Sequence, residues 1–350
     1  MKQTAVVICP GRGSYSRDEL GYLARYHTDK RELLDAVDDY RRQRDQVTVT
    51  DLDALPRFSP NQHGVGENAS ALIYACALAD YADIDRDQFE IVAVTGNSMG
   101  WYLALAAASA LEQASAIALV NTMGSMMQEG LIGGQLVYPV VDAEWRPNPA
   151  AKTALFEQIG QVNRLSGCEA YLSIDLGGLV VIGANVAGIE ALKATLPPVQ
   201  DIYPMQLAKH AAFHTPLLRG VKERAREQFQ AELFGRPQLP LIDGRGHIWQ
   251  PWATDTAALY DYTLGHQVVE PFNFSAAIEV AIKEFAPDRL ILLGPGSGLG
   301  APIGQELVKQ HWLGLEDKQG FKERQERDPF LLAMGLEAQR KRVVSGQWRD

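Results

Sequence analysis

The feature that most constrains the fold of this chain is an apolar run that leads into a serine between two glycines. Residues 89–95 are apolar and β-branched, Gly96-Asn-Ser-Met-Gly100 follows, and an alanine-rich helical pattern begins directly afterwards. This order predicts a strand, a sharp turn and a helix, with Ser98 at the apex of the turn. The glycines permit the tight turn, and the amides of the new helix point towards negative charge forming beside the hydroxyl. The pattern favours a nucleophilic Ser98 over an ordinary turn.

The composition is that of an ordinary globular protein. Hydrophobic residues make up 46% and charged residues 22% of the 350 positions, and the formal net charge is −10. This charge and the dispersed basic residues argue against a nucleic-acid partner. No run approaches the roughly 18 apolar residues of a membrane span, and residues 1–9 predict a buried strand, not a signal peptide. The three scattered cysteines offer no disulfide or zinc framework, so we expect a cytoplasmic protein with no membrane partner.

The order of the predicted elements indicates an α/β protein with an inserted subdomain. Strands expected near residues 1–9, 89–95, 239–242 and 289–293 are separated by helical segments, which predicts a hydrolase-like core with a mainly parallel sheet. We assign this large domain to residues 1–131 and 208–315. Residues 132–207 follow the order β-α-β-β-α-β, which predicts a ferredoxin-like small subdomain. Residues 316–350 are charged and are expected to form a C-terminal extension.

A serine hydroxyl needs a base to become a nucleophile, and one histidine stands in a distinctive setting. His214 lies between an aromatic residue and Thr215-Pro216, at the start of a predicted helix whose proline marks the first turn. A histidine on its own is more often structural than catalytic. The position of His214 therefore leaves both roles open.

Five segments occur in the order found in one enzyme family. They are Pro10-Gly-Arg-Gly-Ser14, the Ser98 turn, Ala212-Phe-His-Thr-Pro-Leu-Leu218, Gln267-Val-Val-Glu-Pro-Phe-Asn-Phe274 and Leu292-Leu-Gly-Pro-Gly-Ser297. Together with the inserted subdomain, they resemble malonyl-CoA:acyl-carrier-protein transacylases and the acyltransferase domains of fatty-acid and polyketide synthases. The resemblance covers roughly residues 3–310.

The resemblance implies a two-step acyl transfer through a serine ester. Ser98 would attack an acyl-CoA thioester while His214 takes its proton, and the acyl group would then pass to the phosphopantetheine thiol of an acyl carrier protein, or to water. It also implies that the backbone carbonyl of Gln267 orients His214, with no aspartate in the site. The backbone N–H groups of Met99 and Arg12 would form the oxyanion hole. No tightly bound cofactor is implied.

The chain departs from the family where malonyl specificity is encoded. The helix after the nucleophile carries Met123 where malonyl-specific members carry an arginine that holds the free carboxylate. A thioether cannot pair with a carboxylate, and a buried unpaired charge is costly. Met123, Met126 and Met127 would instead form an adaptable apolar pocket, although methionines at helical spacing are also ordinary core residues. We therefore expect an acyl group other than malonyl.

Further departures lie beside the two reactive residues. Asn97 replaces the histidine that usually precedes the serine, and Arg12 stands where the family usually carries glutamine. Arg12 is the one charge within reach of an acidic substrate, and the alternative is a surface or salt-bridging role. Asn97 and Phe213, which flank Ser98 and His214, complete the expected substrate contacts.

Two other patterns and two other functions remain to be weighed. Gly296-Ser-Gly-Leu-Gly-Ala301 fits a weak dinucleotide fingerprint, but we find no βαβ unit after it and expect no cofactor there. His210 and His214 have the spacing of a zinc helix, but Ala211 replaces the required glutamate and no third ligand is evident, so no metal is expected.

The alternative functions are an acyl-thioester hydrolase of the same fold and a non-catalytic scaffold that binds a carrier or synthase.

Overall fold

Two sheets organise the protein, whose computed structural model describes residues 1–126 and 132–344. The strands are β1 Gln3–Cys9, β2 Phe89–Gly96, β3 Gly134–Pro139, β4 Ala170–Leu176, β5 Leu179–Ala184, β6 Met205–Gln206, β7 Leu241–Ile242, β8 Ile248–Trp249, β9 Phe272–Asn273, β10 Arg289–Leu292 and β11 Leu331–Ala333.

Helices pack against both sheets. They are α1 Tyr22–Tyr26, α2 Arg31–Arg42, α3 Val49–Asp53, α4 Pro60–His63, α5 Gly66–Asp83, α6 Gly100–Ala107, α7 Gln113–Met126, α8 Pro149–Val162, α9 Val186–Thr195, α10 Arg219–Gln228, α11 Thr256–Asp261, α12 Gln267–Val269, α13 Phe274–Phe285, α14 Gly300–Lys309, α15 Lys318–Arg327 and α16 Glu337–Arg340. Short 3₁₀ turns occupy 216–218, 231–233 and 312–314, and a π-helical turn joins α11 to α12 at 262–266. Within the described ranges, no helix has the length and apolarity that crossing a membrane requires.

The larger sheet has the strand order β11-β10-β1-β2-β7-β8. Its pairs are parallel except for the β7–β8 hairpin. Strand β1 lies in the interior of this sheet, and its residues Ala5 to Cys9 are fully buried. A continuous apolar run is what a parallel strand needs when helices cover both of its faces. The predicted mainly parallel α/β core is confirmed.

The smaller sheet has the order β6-β3-β5-β4-β9. Strands β3 to β6, with helices α8 and α9 between them, reproduce the predicted β-α-β-β-α-β order, so the ferredoxin-like subdomain is present. Its separate core contains Leu136, Val180, Ile182 and Leu192. Strand β9 comes from the large domain and pairs in parallel with β4. The subdomain is therefore joined by backbone hydrogen bonds to the segment that follows α12.

The C-terminal segment differs from the expected charged extension. Strand β11 continues the large sheet beside β10, and Phe330 is buried with it. Arg340 anchors the segment through ion pairs to Asp80 and Asp83 on α5. Strands β10 and β11 with the intervening α14 and α15 also form the parallel crossover that the sequence did not reveal after Gly296. Strand β11 is only three residues long and follows a highly charged segment, so the sequence shows no periodic pattern that would predict it.

Candidate active site

Ser98 lies at the sharp turn between β2 and α6, as the sequence predicts. Its backbone has a φ of +57°, in the left-handed region that non-glycine residues seldom adopt. A Cβ on Gly96 would lie 2.2 Å from the carbonyl oxygen of Gly100, and one on Gly100 would lie 2.4 Å from that of Cys9. Both glycines are therefore required by close backbone approach. Backbone strain of this kind is typical of functional sites.

The structure brings Ser98, His214 and Gln267 together across the cleft. The Ser98 hydroxyl lies 2.7 Å from Nε2 of His214, and Nδ1 of His214 lies 2.6 Å from the backbone carbonyl oxygen of Gln267. A carbonyl oxygen only accepts, so Nδ1 carries the proton and Nε2 is free to accept from the hydroxyl. This is the arrangement of a nucleophile, a base and a group that orients the base.

Gln267 also holds the nucleophile turn through its side chain, which the sequence reasoning missed. Its carbonyl is available because α12 ends at Val269, and the last carbonyls of a helix have no partner within it. Its side-chain amide donates to the backbone oxygen of Ser98 at 3.0 Å and accepts from the Tyr102 hydroxyl at 2.8 Å. One residue therefore fixes the separation of Ser98 and His214.

The protonation of His214 suits a general base. Burial lowers the pKa of His214 to about 4, the Gln267 carbonyl opposes this shift, and nearby His266 adds to it. The imidazole is therefore neutral at physiological pH. A neutral imidazole can take a proton from a hydroxyl, and the imidazolium cannot.

We expect a pH profile that follows this shift. Because His214 stays neutral until the pH approaches 4, kcat/KM for acylation of Ser98 should remain flat from pH 7.5 to about pH 5 and fall below that. Initial rates across this range, with circular dichroism at each pH to verify folding, measure it. A decrease in kcat/KM centred near pH 6.5, the ordinary histidine pKa, would contradict the lowered pKa of His214.

The amides of Met99 and Arg12, expected to form the oxyanion hole, lie in two loops that touch. Met99 precedes the first residue of α6, and a Cβ on Gly11 would lie 2.8 Å from the Asn97 carbonyl oxygen, so the loop after β1 packs against the serine turn. Neither amide donates a hydrogen bond to another group in the part of the chain that the structure describes. Both remain available to a ligand.

A pocket of about 440 Å³, a volume that includes the open solvent at its mouth, lies beside Ser98, and we call it the acyl pocket. Its walls include Met123 from α7, which is 2% exposed, and Phe213 from the loop before His214. The other lining residues include Ser70, Tyr102, Val120 and Val268. Met126 is buried nearby on the same helix, whereas Met127 lies outside the described residues. The pocket is therefore mainly apolar, with one charged residue, Arg12, in its wall.

Two backbone oxygens, and no carboxylate of residues 1–126 or 132–344, hold Arg12 in this wall. Its guanidinium donates to the backbone oxygens of Gly64 and Lys209 at 3.2 and 3.1 Å and lies 5.3 Å from the centre of the Phe213 ring. Within the described residues Arg12 forms no ion pair, and its buried Nε has no partner. Burial lowers its pKa to about 10, so it stays positively charged at neutral pH. Arg12 is partly exposed, and its partners among the described residues are backbone oxygens.

A second and larger pocket, about 1350 Å³ when the open solvent at its mouth is included, lies between the two sheets, and we call it the large groove. It meets the acyl pocket at Ser98, Arg12 and Phe213, which line both. Asn97 faces this groove and not the acyl pocket. The small subdomain supplies apolar side chains to the opposite wall, namely Val137, Ile174, Leu176, Leu179 and Val181. The groove gives a long, narrow substrate a route to Ser98.

Comparison with solved structures shows the same fold. Malonyl-CoA:acyl carrier protein transacylase from Xanthomonas oryzae matches with a TM-score of 0.71 and 19% identity, covering 97% of each chain. The acyl-carrier-protein S-malonyltransferase of Burkholderia pseudomallei matches with 0.71 and 21%, over 93% of this chain and 100% of that one. A malonyl-transacylase solved in complex with a type II polyketide synthase acyl-carrier protein matches with 0.68 and 19%, over 88% and 94%.

Sequence similarity points the same way but covers less. No protein-family model matches the chain. Polyketide synthase 2 of Metarhizium robertsii is 29% identical over 187 residues, which is 53% of this chain and 8% of that protein. Polyketide synthase GfsB of Streptomyces halstedii is 24% identical over 215 residues, 59% of this chain and 4% of that protein. The chain thus spans a small part of these relatives. The resemblance drawn from the five segments is confirmed at the level of fold.

Proposed function

We propose that this chain, which has the fold of the malonyl-CoA:acyl carrier protein transacylases, is a serine acyltransferase. It moves an acyl group from a CoA thioester to the phosphopantetheine thiol of an acyl carrier protein. The observation that carries the proposal is the contact of 2.7 Å between the Ser98 hydroxyl and a His214 whose proton is fixed on the opposite nitrogen by Gln267.

The geometry supports a mechanism in two matched halves. His214 Nε2 takes the Ser98 proton as the serine oxygen attacks the thioester carbonyl carbon, and the amides of Met99 and Arg12 receive the developing oxyanion. The carbon–sulfur bond then breaks, the CoA thiolate takes the proton from His214, and a serine ester remains. The carrier thiol repeats these steps in reverse. Because the oxyanion donors belong to the main chain, an arginine side chain at position 12 leaves the hole intact.

The large groove supports a carrier-borne acceptor. A phosphopantetheine arm is long and narrow, and the large groove leads from the space between the sheets to Ser98. The complex of a related malonyl-transacylase with its carrier protein shows that the fold can receive such a partner. We therefore infer an acyl carrier protein as the acceptor.

The acyl pocket supports a non-carboxylated acyl group. Met123 brings a thioether to the wall where the resemblance places a carboxylate-binding arginine, and it is buried there. One observation favours a second class, an acyl group with a free carboxylate. Arg12 lines the same pocket with a charge that no described carboxylate neutralises, and such a charge gains from a carboxylate partner.

Intact-mass measurement with a panel of acyl-CoAs tests the proposal. We expect a mass increase of one acyl group on the wild-type protein, lost in Ser98→Ala, and its transfer to an added carrier protein. The panel should contain acetyl-, butyryl-, hexanoyl- and malonyl-CoA, so that it also separates the two acyl classes.

The same assay identifies the alternative functions. Release of free acid with no adduct and no acyl carrier would indicate the thioester hydrolase, in which water reaches the serine ester. No adduct and no turnover with any acyl-CoA would indicate the scaffold and would overturn the proposal. Parallel reactions with and without carrier protein provide the control for all three functions.

A further inference from the structure

A buried chain of hydrogen bonds runs from the loop that carries His214 into the small subdomain and back. Ser173 on β4 donates to the backbone oxygen of Phe213 at 2.7 Å, and Gln135 on β3 donates its side-chain amide to the Ser173 hydroxyl at 2.7 Å. The side-chain amide oxygen of Gln135, Oε1, lies 2.8 Å from Nδ1 of His210. Ser173 and Gln135 are both at most 1% exposed, so water does not compete for these bonds.

The donor and acceptor of each hydrogen bond in this series follow from the first bond, between Ser173 and the backbone oxygen of Phe213. A backbone oxygen can only accept, so the single hydroxyl proton of Ser173 goes to Phe213. Ser173 must then accept from Gln135, which turns the amide nitrogen towards the serine and the amide oxygen towards His210. An amide oxygen also only accepts, so Nδ1 of His210 carries a proton. This assignment needs no observed hydrogen, because each step leaves one option.

The opposite nitrogen of His210, Nε2, is consequently an acceptor that has no donor among the described residues. Burial disfavours the imidazolium, the nearby positive charge of the Arg12 guanidinium adds to this effect, and together they lower the pKa of His210 to about 3. A neutral ring with its proton on Nδ1 has a lone pair on Nε2. Within the described residues nothing donates to that nitrogen, and His210 lines the large groove that also contains Ser98 and Asn97.

We infer that His210 Nε2 accepts a hydrogen bond from an amide N–H of the pantetheine arm as it lies in the large groove, an inference that rests on the proposed function. A pantetheine arm has two secondary amides, each with one N–H donor, and much of the groove wall is apolar. A donor that enters such a wall needs an acceptor, since an unsatisfied buried amide is costly. His210 is thus a substrate-binding residue. So weak a base does not deprotonate a thiol, which leaves proton transfer to His214.

Two isosteric substitutions of His210 test this contact. Asparagine places its amide nitrogen where Nδ1 lies and keeps the bond to Gln135, but it has no atom at Nε2. Glutamine places an amide oxygen near Nε2 and retains an acceptor. One net hydrogen bond is worth about 0.5–1.5 kcal/mol, a factor of about 2–13. We expect the affinity for pantetheine to fall by that factor in His210→Asn and to be retained in His210→Gln, as measured by calorimetry.

Kinetics and spectroscopy complete the test. The S-acyl thioester of N-acetylcysteamine has one amide N–H, and the S-acyl thioester of propanethiol has none. The wild-type protein should therefore have the higher kcat/KM with the first substrate. His210→Asn should lose this preference. A nitrogen-15 imidazole spectrum should show the His210 proton on Nδ1. A wild-type affinity and preference in His210→Asn, with unchanged thermal unfolding, would overturn the inference, as would a proton on Nε2. Absence of any acyl-Ser98 adduct in wild type would instead contradict the proposed function, because pantetheine binding requires no turnover.

Discussion

Replacing His214 by alanine is expected to slow the acylation of Ser98 by about 10²–10⁴-fold, the usual contribution of a positioned general base. The hydroxyl 2.7 Å from Nε2 then has no group to take its proton. Ser98→Ala should remove the acyl adduct entirely, because no nucleophile remains at the apex of the turn. Single-turnover acylation by the preferred acyl-CoA of the panel, followed by intact mass, measures both.

A matched histidine variant separates catalysis from general damage. His247 is exposed on the β7–β8 hairpin, where its ring contacts Trp249 and reaches neither cavity. His247→Ala should acylate at the wild-type rate. If His214→Ala stays within about threefold of wild type while remaining folded, covalent catalysis by this pair is wrong.

The serine turn could be predicted because its requirements are local. A strand that must reverse into a helix within five residues brings backbone atoms to within van der Waals distance, and only glycine at positions 96 and 100 avoids a clash. The parallel core was predictable for a similar reason, since strands buried on both faces show continuous apolar runs. His214 needed more than local sequence, because its setting alone left a structural role open.

The parts that were missed depend on contacts between distant segments. Gln135 and Ser173 are ordinary polar residues in two strands of the small subdomain, and only the fold places them behind the His210 loop. The sequence likewise gave no sign that the Arg12 guanidinium would donate to two backbone oxygens. The hydrophobic pattern of a sequence indicates which face of a helix or strand is apolar. It does not indicate which polar side chains from distant segments form hydrogen bonds with each other.

The acyl class is the other property with a large expected effect, and Met123→Arg tests it. An arginine on α7 would place a guanidinium in the acyl pocket, where a charge-assisted bond to a carboxylate contributes about 1.5–3 kcal/mol. We therefore expect the ratio of kcat/KM for malonyl-CoA over butyryl-CoA to rise by about 10- to 100-fold. Initial rates of Ser98 acylation with each substrate provide the ratio.

Two further variants decide whether position 123 or Arg12 contacts the acyl carboxylate. Met123→Leu keeps the volume and apolar character, so its ratio should match wild type and show that loss of the thioether alone has no effect. Unchanged selectivity in Met123→Arg would mean that position 123 does not contact the acyl group. If wild type already prefers malonyl-CoA and Arg12→Gln removes that preference, then the Arg12 guanidinium beside Phe213 binds the carboxylate, and the non-carboxylated class is wrong. The two arginine positions lie in one cavity wall, so a single substrate pair measured on these variants assigns the carboxylate to one of them or to neither.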